Sequence, residues 1–578
     1  MKRLGLAARA IALLVLISAC GSGGAPSPSW PPPPRPGTPA ELHAAASSAC
    51  AAMPLRTTGT VHYFCACDPG AQPGCEDHAG DDGWDGLDPD HSRGGMHGPK
   101  SSWVELVNTF NGMSAGDTIA LCQGGAWAVG ARLDLRNAAC AAGEDLHAAA
   151  NPSTCDVRDY PTAWGNAQRP RLQLTADTHL LSFASGAPQR GVRILNLALH
   201  GGGDGPAGPG EEVVLGGQRG LITQGDNTDF LVCNDTFDGF FVALHVLPEP
   251  APAARIVIRG NRITNSTAEG FLGGASDSAI DANVFEDAGS SSAGSHAIYL
   301  QGQSVARFEL VNNQFLRTAA PPPCGGAIVV VHDQYDGLNI ENNHVDGGAG
   351  SVGACYGIAV DAGGYPRPGW YRHLTIRRNR VERAGYAPIH VANAPAPIIE
   401  NNLVVSGMTG AGLGIHVPGL AARTSPADDR TTAAVVRNNT IFFPAAAAGS
   451  TGIQLGDVAE GTGYVVANNA IVFAGGGGTC LDLSLPADRY AYVDHNLCSG
   501  FTRWEATRGS LEAWRTYGRD RFDGASRTDA PQLASPPGDL TPAGGSPLLG
   551  AGDAARAPAV DQALRTRPDP PSIGALER

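Results

Sequence analysis

The chain has 578 residues, among them 77 glycines and 43 prolines, and charged residues make up only 16% of it. That composition disfavours long surface helices and coiled coils. The net charge of −15 argues against a nucleic-acid partner, because phosphate backbones call for a basic footprint. Hydrophobic residues at 42% suffice for a core, so the expectation is a turn-rich, all-β protein. Lys2 and Lys100 are the only lysines; beyond residue 100 no lysine can serve as base or nucleophile.

The first segments in chain order lie outside any fold. Lys2, Arg3 and Arg9 precede an apolar run from Ala10 to Ile17, which suits the core of an export signal and is too short to span a bilayer. The run ends in Ile17-Ser18-Ala19-Cys20, which resembles a bacterial lipobox. The resemblance implies a signal peptide over residues 1–19 and lipidation of Cys20. Membrane attachment would then run through that anchor alone, since no other apolar stretch approaches 18 residues. The expected location is the cell envelope, at the outer membrane or the cell surface. Residues 20–55 are expected to form a tether. Gly21 to Pro39 is Gly/Ser-rich and then Pro-rich, a composition that cannot pack a core and extends at about 3.1 Å per residue in its proline half.

Thirteen cysteines, one of them Cys20, leave an even number for disulfides in an oxidising compartment. Seven of them, from Cys50 to Cys155, crowd the N-terminal part of the chain. Cys65, Cys67 and Cys75 match no zinc-site spacing, so bridges are the better reading. Seven is odd: either one pairs downstream, with Cys233 as candidate, or one thiol is free.

From Asn261 to Asn496 one pattern recurs nine times: apolar, two residues, Asn, one residue, apolar. Ile258-Asn261-Ile263, Ile340-Asn343-Val345 and Val466-Asn469-Ile471 are examples, and looser copies centre on Asn196 and Asn234. Each unit predicts a strand, a turn at Asn that tolerates the left-handed conformation, and a second short strand. Repeated in every coil, the amides can stack as a ladder. A third strand precedes each unit, as in Gly357-Ile358-Ala359-Val360 and Gly414-Ile415-His416-Val417. Three short strands per coil make a parallel β-helix.

The pattern resembles the right-handed parallel β-helix family to which pectate lyases, polysaccharide hydrolases and many surface proteins belong. The entry segment His62 to Phe64 with Gly80 to Leu87 resembles the start of such proteins, and Ser510 to Trp514 with Ile573 to Glu577 resembles their exit. The resemblance implies an all-β, right-handed parallel β-helix of about eleven coils. A disulfide-rich N-terminal cap with the first coils would occupy 56–165, the helix 166–500, and a C-terminal cap 501–578. A monomer is expected.

In that family, substrate lies along the outer face of the third strand. The outward positions there are expected to be Tyr299, Val329, Ala359, His390, His416, Gln454 and Asp482, with Gln301, Val331 and Asp361 two residues further on. Asp333 lies near the start of the following loop. The connections after this strand offer Tyr365, Trp370 and Tyr371 as sugar-stacking platforms. They also offer Arg372 and Arg423, with Arg367 and Arg430, as bidentate partners for a carboxylate.

Three chemistries fit unequally. β-Elimination would use His390 or His416 as base and Arg372 or Arg423 as clamp on a uronate. Hydrolysis would use Asp333 and Asp361, about 8 Å apart by strand spacing and within the inverting range. Calcium could bridge an acidic protein to an acidic glycan, but no ligand set stands out and no metal site is assigned. The partner implied is a polysaccharide. The rival class is a non-catalytic surface, adhesion or spacer protein, in which the histidines stack as a solvated ladder and the aromatics pack the loops down.

Overall fold

The computed structural model describes residues 35–578 apart from 57, 92–94, 142–145, 147–150, 184–187, 203–216, 225, 248–252, 290–293, 319–325, 349–355, 363–367, 419–429, 446–448, 457–460, 505–506 and 518–521. Three parallel sheets wind through the chain in repeating order. Among the described residues they hold sixteen, thirteen and thirteen strands. This is a right-handed parallel β-helix. The second sheet begins at Ala126–Val129, inside the region expected to hold the N-terminal cap and first coils.

The asparagine column is the axial seam. In each coil Asn Oδ1 accepts both the backbone N–H and the Nδ2–H of the preceding ladder residue, as between Asn343 and Asn379 at 3.0 Å each. Nδ2 also donates to a backbone carbonyl, Leu310 O in the case of Asn343 (2.8 Å). Every polar atom of these fully buried amides is thereby satisfied, which is what makes burial tolerable.

Two details differ from the sequence reading. The left-handed turn residue is not the ladder Asn but the residue before it: Gly260, Ala282, Asn312, Asn342, Arg378, Asn401, Asn438 and Asn468 all have positive φ. Asn196 and Asn234 belong to this outer position. The ladder position in their coils is taken by Leu197 and Asp235, and the seam starts where Asp235 N–H donates to Asn261 Oδ1 (2.8 Å). Asp235 is fully buried, and burial pushes its carboxyl up to about 8.

Both ends are plugged. Helix α1 is Pro39–Ala51, α2 is Trp103–Gly112 and α3 is Leu511–Tyr517. Helix α2 buries Trp103, Leu106, Val107 and Phe110 over the first coils. At the other end α3 buries Leu511 and Trp514, with Trp514 stacked on Phe522.

The segment expected to be tether is partly folded. A capping box of Thr38 and Glu41 starts α1. The helix docks along the first sheet, where Ser47 donates to Gly260 O (2.7 Å) and Cys50 bridges to Cys233. Cys65 pairs with Cys122, Cys67 with Cys75, Cys140 with Cys155 and Cys480 with Cys498. The C-terminal segment is likewise more than an end cap. It returns along the second sheet, packing Leu540, Ala575 and Leu576 onto Leu403, Val405, Phe442 and Val472. Cys20 and the expected signal peptide lie outside the described residues. Among those described, no helix is long and apolar enough to cross a membrane.

Candidate functional site

With α1 on the first sheet and the C-terminal strap on the second, the third sheet is the face on which the candidate residues gather. Its strands break the in-out alternation at one point, and that break sets which side chains face out. At Gly357 an added Cβ would strike the core side chains of Val381 and Ala384, and the next residue, Ile358, is also fully buried. Two successive residues thus face in, a break in the alternation that leaves the pairing register unchanged. Tyr356 before them and Ala359 after them both face out.

This break corrects two expected outward residues. In Ala327-Ile328-Val329-Val330-Val331, Ile328, Val329 and Val331 join the central core, whereas Ala327 and Val330 join an outer cluster with Tyr299, Tyr356 and Ala359. Val329 and Val331 are therefore inside, and Val330 and His332 take their places. An unbroken run of apolar residues has no alternation from which to read its phase. The register across coils is Tyr299, Val330, Ala359, His390, His416, Gln454, Asp482.

His390, His416 and Asp361 come together. His390 Nδ1 and His416 Nδ1 are 2.9 Å apart, and His390 Nε2 lies 3.2 Å from Asp361 Oδ2. A carboxylate only accepts, so His390 Nε2 carries a proton. His390 Nδ1 faces His416 Nδ1, and His416 Nε2 at the far end of the chain is buried. His390 is 6% exposed and Asp361 and His416 are half-buried. The Tyr356 ring lies 5.1 Å from the His390 ring, and burial raises the Tyr356 phenol above its ordinary value, with Tyr386 and Asp361 adding to the shift. His332, missed in the sequence, joins through Nδ1 to the Asp361 carbonyl (2.6 Å) and packs beside Tyr299 (5.3 Å between rings).

The other expected residues scatter. Tyr299 does face out, between His296 and His332. Tyr371 does not: it is fully buried, and its hydroxyl donates to Val331 O (2.9 Å). Strand alternation forbids Trp370 and Tyr371 from both facing out. Trp370 and Arg372 face out, but from the first sheet, opposite Gln334 and Asp336, with the Arg372 guanidinium 4.5 Å over the Trp370 ring. Asp333 is 2% exposed in a left-handed conformation; its carbonyl accepts from Trp370 N–H, and its charge is felt by the buried Tyr335 phenol. Tyr365 and Arg423 lie outside the described residues. Asp482 is held by Gln454, Ser484 and Arg503.

A second polar cluster sits upstream on the same face. Arg219, 2% exposed, donates Nε to His245 Nδ1 (2.9 Å) and Nη1 to His179 Nε2 (3.2 Å). Both imidazoles are kept neutral: burial and then Arg219 lower His245 to about 3 and His179 to about 4. Glu269 lies two coils along from Arg219. Burial pushes its carboxyl up to about 7 although Arg219 opposes the shift. His296 follows in the next coil, lowered to about 4 by burial.

Glu269 is three coils from Tyr356. At about 4.8 Å per coil this is roughly 14 Å, too far to pair with Asp361 as an inverting glycosidase would require. Among the described residues no group of three or more His, Cys, Asp or Glu side chains could hold a metal ion. The calcium considered from sequence thus finds no ligand set there.

No family description matches the sequence, and no curated protein is found as a relative. Solved structures do align. Pectate lyase Pel9A is 11% identical over 92% of this chain and 99% of its own, with a TM-score of 0.38. Alginate lyase AlyF-OU02 is 12% identical over 78% and 90%, at 0.42. The Dettilon tailspike is 13% identical over 63% of this chain, which spans 60% of the tailspike's length, at 0.38. None of these likenesses assigns an activity.

Proposed function

We propose that this protein is a polysaccharide lyase whose base is the Asp361–His390–His416 chain. The carrying observation is the hydrogen-bonded run of Asp361, His390 and His416 on the outer face of the third sheet. Substrate would lie across the coils on that face. His390 or His416 would take the proton next to a uronate carboxylate, with Asp361 orienting His390 and His390 orienting His416. Tyr356, whose phenol stays protonated well into alkaline pH, is the group that can hand a proton to the leaving oxygen. The apolar outer cluster of Ala327, Val330 and Ala359, with Tyr299, gives sugar rings a floor.

Of the two clamps expected, Arg372 belongs to another sheet. Arg423, in the connection that leaves the His416 strand, is the one kept in this proposal. The hydrolytic reading loses support with Asp333 buried and Glu269 distant. We further propose that the chain acts in the cell envelope, tethered through Cys20.

The test is incubation of residues 35–578 with a panel of uronate-containing and neutral glycans. Ultraviolet absorbance of unsaturated uronates and release of reducing ends are both followed. Absorbance that rises with the wild type and vanishes in His416→Ala is the expected result. Reducing ends without absorbance would replace elimination by hydrolysis, and silence from folded protein across the panel would return the spacer reading.

A further inference from the structure

The third sheet is not the only face with an opening. On the second sheet, in the first coils, a cavity of about 310 Å³ lies between the N-terminal cap and the coil wall. The volume is at the lower end of ligand pockets, roughly 300–1,000 Å³. Its origin can be followed residue by residue. In the strand Arg171–Leu174, Leu172 and Leu174 point into the core and Arg171 and Gln173 point out. The outward neighbours of Arg171 in the adjoining coils are Ala126 and Ala198. A long cationic side chain flanked by two methyl groups leaves empty space beside its guanidinium.

The walls of this space are fixed. Gln72 belongs to the loop closed by the Cys67–Cys75 disulfide, and its N–H donates to Gly124 O (2.8 Å). Gly124 in turn donates to Gln168 O (2.8 Å). With φ of +84° and the Gly165 Cα only 2.6 Å from where its Cβ would be, Gly124 can be nothing larger. Gln72 Nε2 then bonds Gln168 Oε1 (2.8 Å), tying the two walls together.

The lining is cationic in an acidic protein. Arg169, Arg171 and His200 contribute to it, and none of the nine described residues around the cavity carries a carboxylate. Arg169 bonds Asn234 Oδ1 and Arg171 bonds Gln173 Oε1, both neutral acceptors (2.6 Å each). Among the charged groups of the adjoining strands, Asp238 faces His200 at 3.6 Å and is held low by His200, Thr264 and Asn265. Arg171 Nε is buried and meets no acceptor among the described residues. A buried donor without an acceptor is a place where one is wanted. Elsewhere on this molecule exposed arginines are neutralised by carboxylates, as Arg262 and Arg317 are by Glu286.

We infer that this cavity binds a small ligand presenting an oxyanion, with Arg171 and Arg169 as its cationic partners and room for one or two sugar rings or a free inorganic anion. The site is separate from the His390 chain, being on a different sheet and at the other end of the helix, and does not depend on the activity proposed above. Its chemistry is recognition: a planar guanidinium donates to two oxygens at once.

Calorimetry with digalacturonate, inorganic phosphate and a neutral disaccharide tests it, using residues 35–578. The expected result is binding of an anionic ligand and not of the neutral one. Affinity should fall at least tenfold in Arg171→Gln and should also be lost in Ala198→Leu, which fills the space without removing a charge. His390→Ala should bind like wild type. Tighter binding of digalacturonate identifies a sugar acid as the ligand, and tighter binding of phosphate identifies a free anion. Equal binding of the neutral disaccharide, affinity retained in both pocket variants, or no binding of either anion would overturn the inference. Thermal denaturation of both variants distinguishes lost binding from lost fold.

Discussion

Two ends of one sheet face use the same residue types to opposite effect. Upstream, His179 and His245 surround an arginine; downstream, His390 and His416 line up behind an aspartate. Arg219 can only donate, so both upstream imidazoles must accept from it, and neither can hold a second proton in the neutral range. Asp361 can only accept, so His390 donates to it from Nε2 and meets His416 through Nδ1. The partner's charge, not the presence of histidine, decides whether such a pair is a rigid donor array or a base.

The largest expected effect breaks the downstream order. His416→Ala should lower kcat on the responsive glycan by about 10²–10⁴-fold, the range for loss of a general base. Asp361→Asn should also lower kcat and move the pH profile, because the amide can donate to His390 and reverse its tautomer. A variant whose pH profile stays put would show that Asp361 does not set the proton order.

Breaking the upstream order should affect stability rather than turnover. Arg219→Met removes two buried hydrogen bonds and should cost about 1–3 kcal/mol for each acceptor left unpaired. In NMR titrations His245 and His179 should rise from about 3 and about 4 towards their ordinary 6.5, with kcat changed by no more than a few-fold. A loss of turnover as large as that of His416→Ala would erase the distinction between the two ends.

The pH dependence of folding sharpens the same contrast. Glu269 titrates near 7 in the folded chain and near 4.5 unfolded, so its contribution is intact below about 4.5 and is lost as pH rises through 7. Glu269→Gln should remove that slope and gain on the wild type as pH rises. His245 runs the other way: lowered in the fold, it favours the folded state above 6.5 and loses that contribution as pH falls toward 3. Denaturant midpoints across pH 4–8 would resolve both signs.

The smallest effect concerns the residue between the two ends. Tyr299→Ala should raise KM a few-fold with kcat unchanged, in keeping with the loss of one aromatic contact of about 0.5–1.5 kcal/mol. An unchanged KM would remove Tyr299 from the substrate path.

Much of this was legible in the chain. Nine copies of one short pattern predicted the coil, and buried Asn379 or Asn439 needs the amide ladder whatever lies around it. His390, His416 and Asp361 were found because the Gly-Ile-x-apolar signature marks the outward residue. Val329 and Val331 were misplaced because an apolar run gives no phase and the alternation breaks within it. The upstream cluster was missed because Asn196 and Asn234 sit one residue off the seam, which hides the phase of the coils there. The return of the C-terminal strap along the second sheet left no periodic trace.

The sequence by itself determined the strand, the turn and the inward asparagine, since these depend on interactions within one coil or between identical positions of neighbouring coils. Only the tertiary structure decided which outward side chains meet. His390 touches one residue 26 positions ahead and another 29 behind, and those separations depend on connections of unequal length. A single break in the alternation turns a side chain from the core to the face, so the coil could be read locally and the site could not.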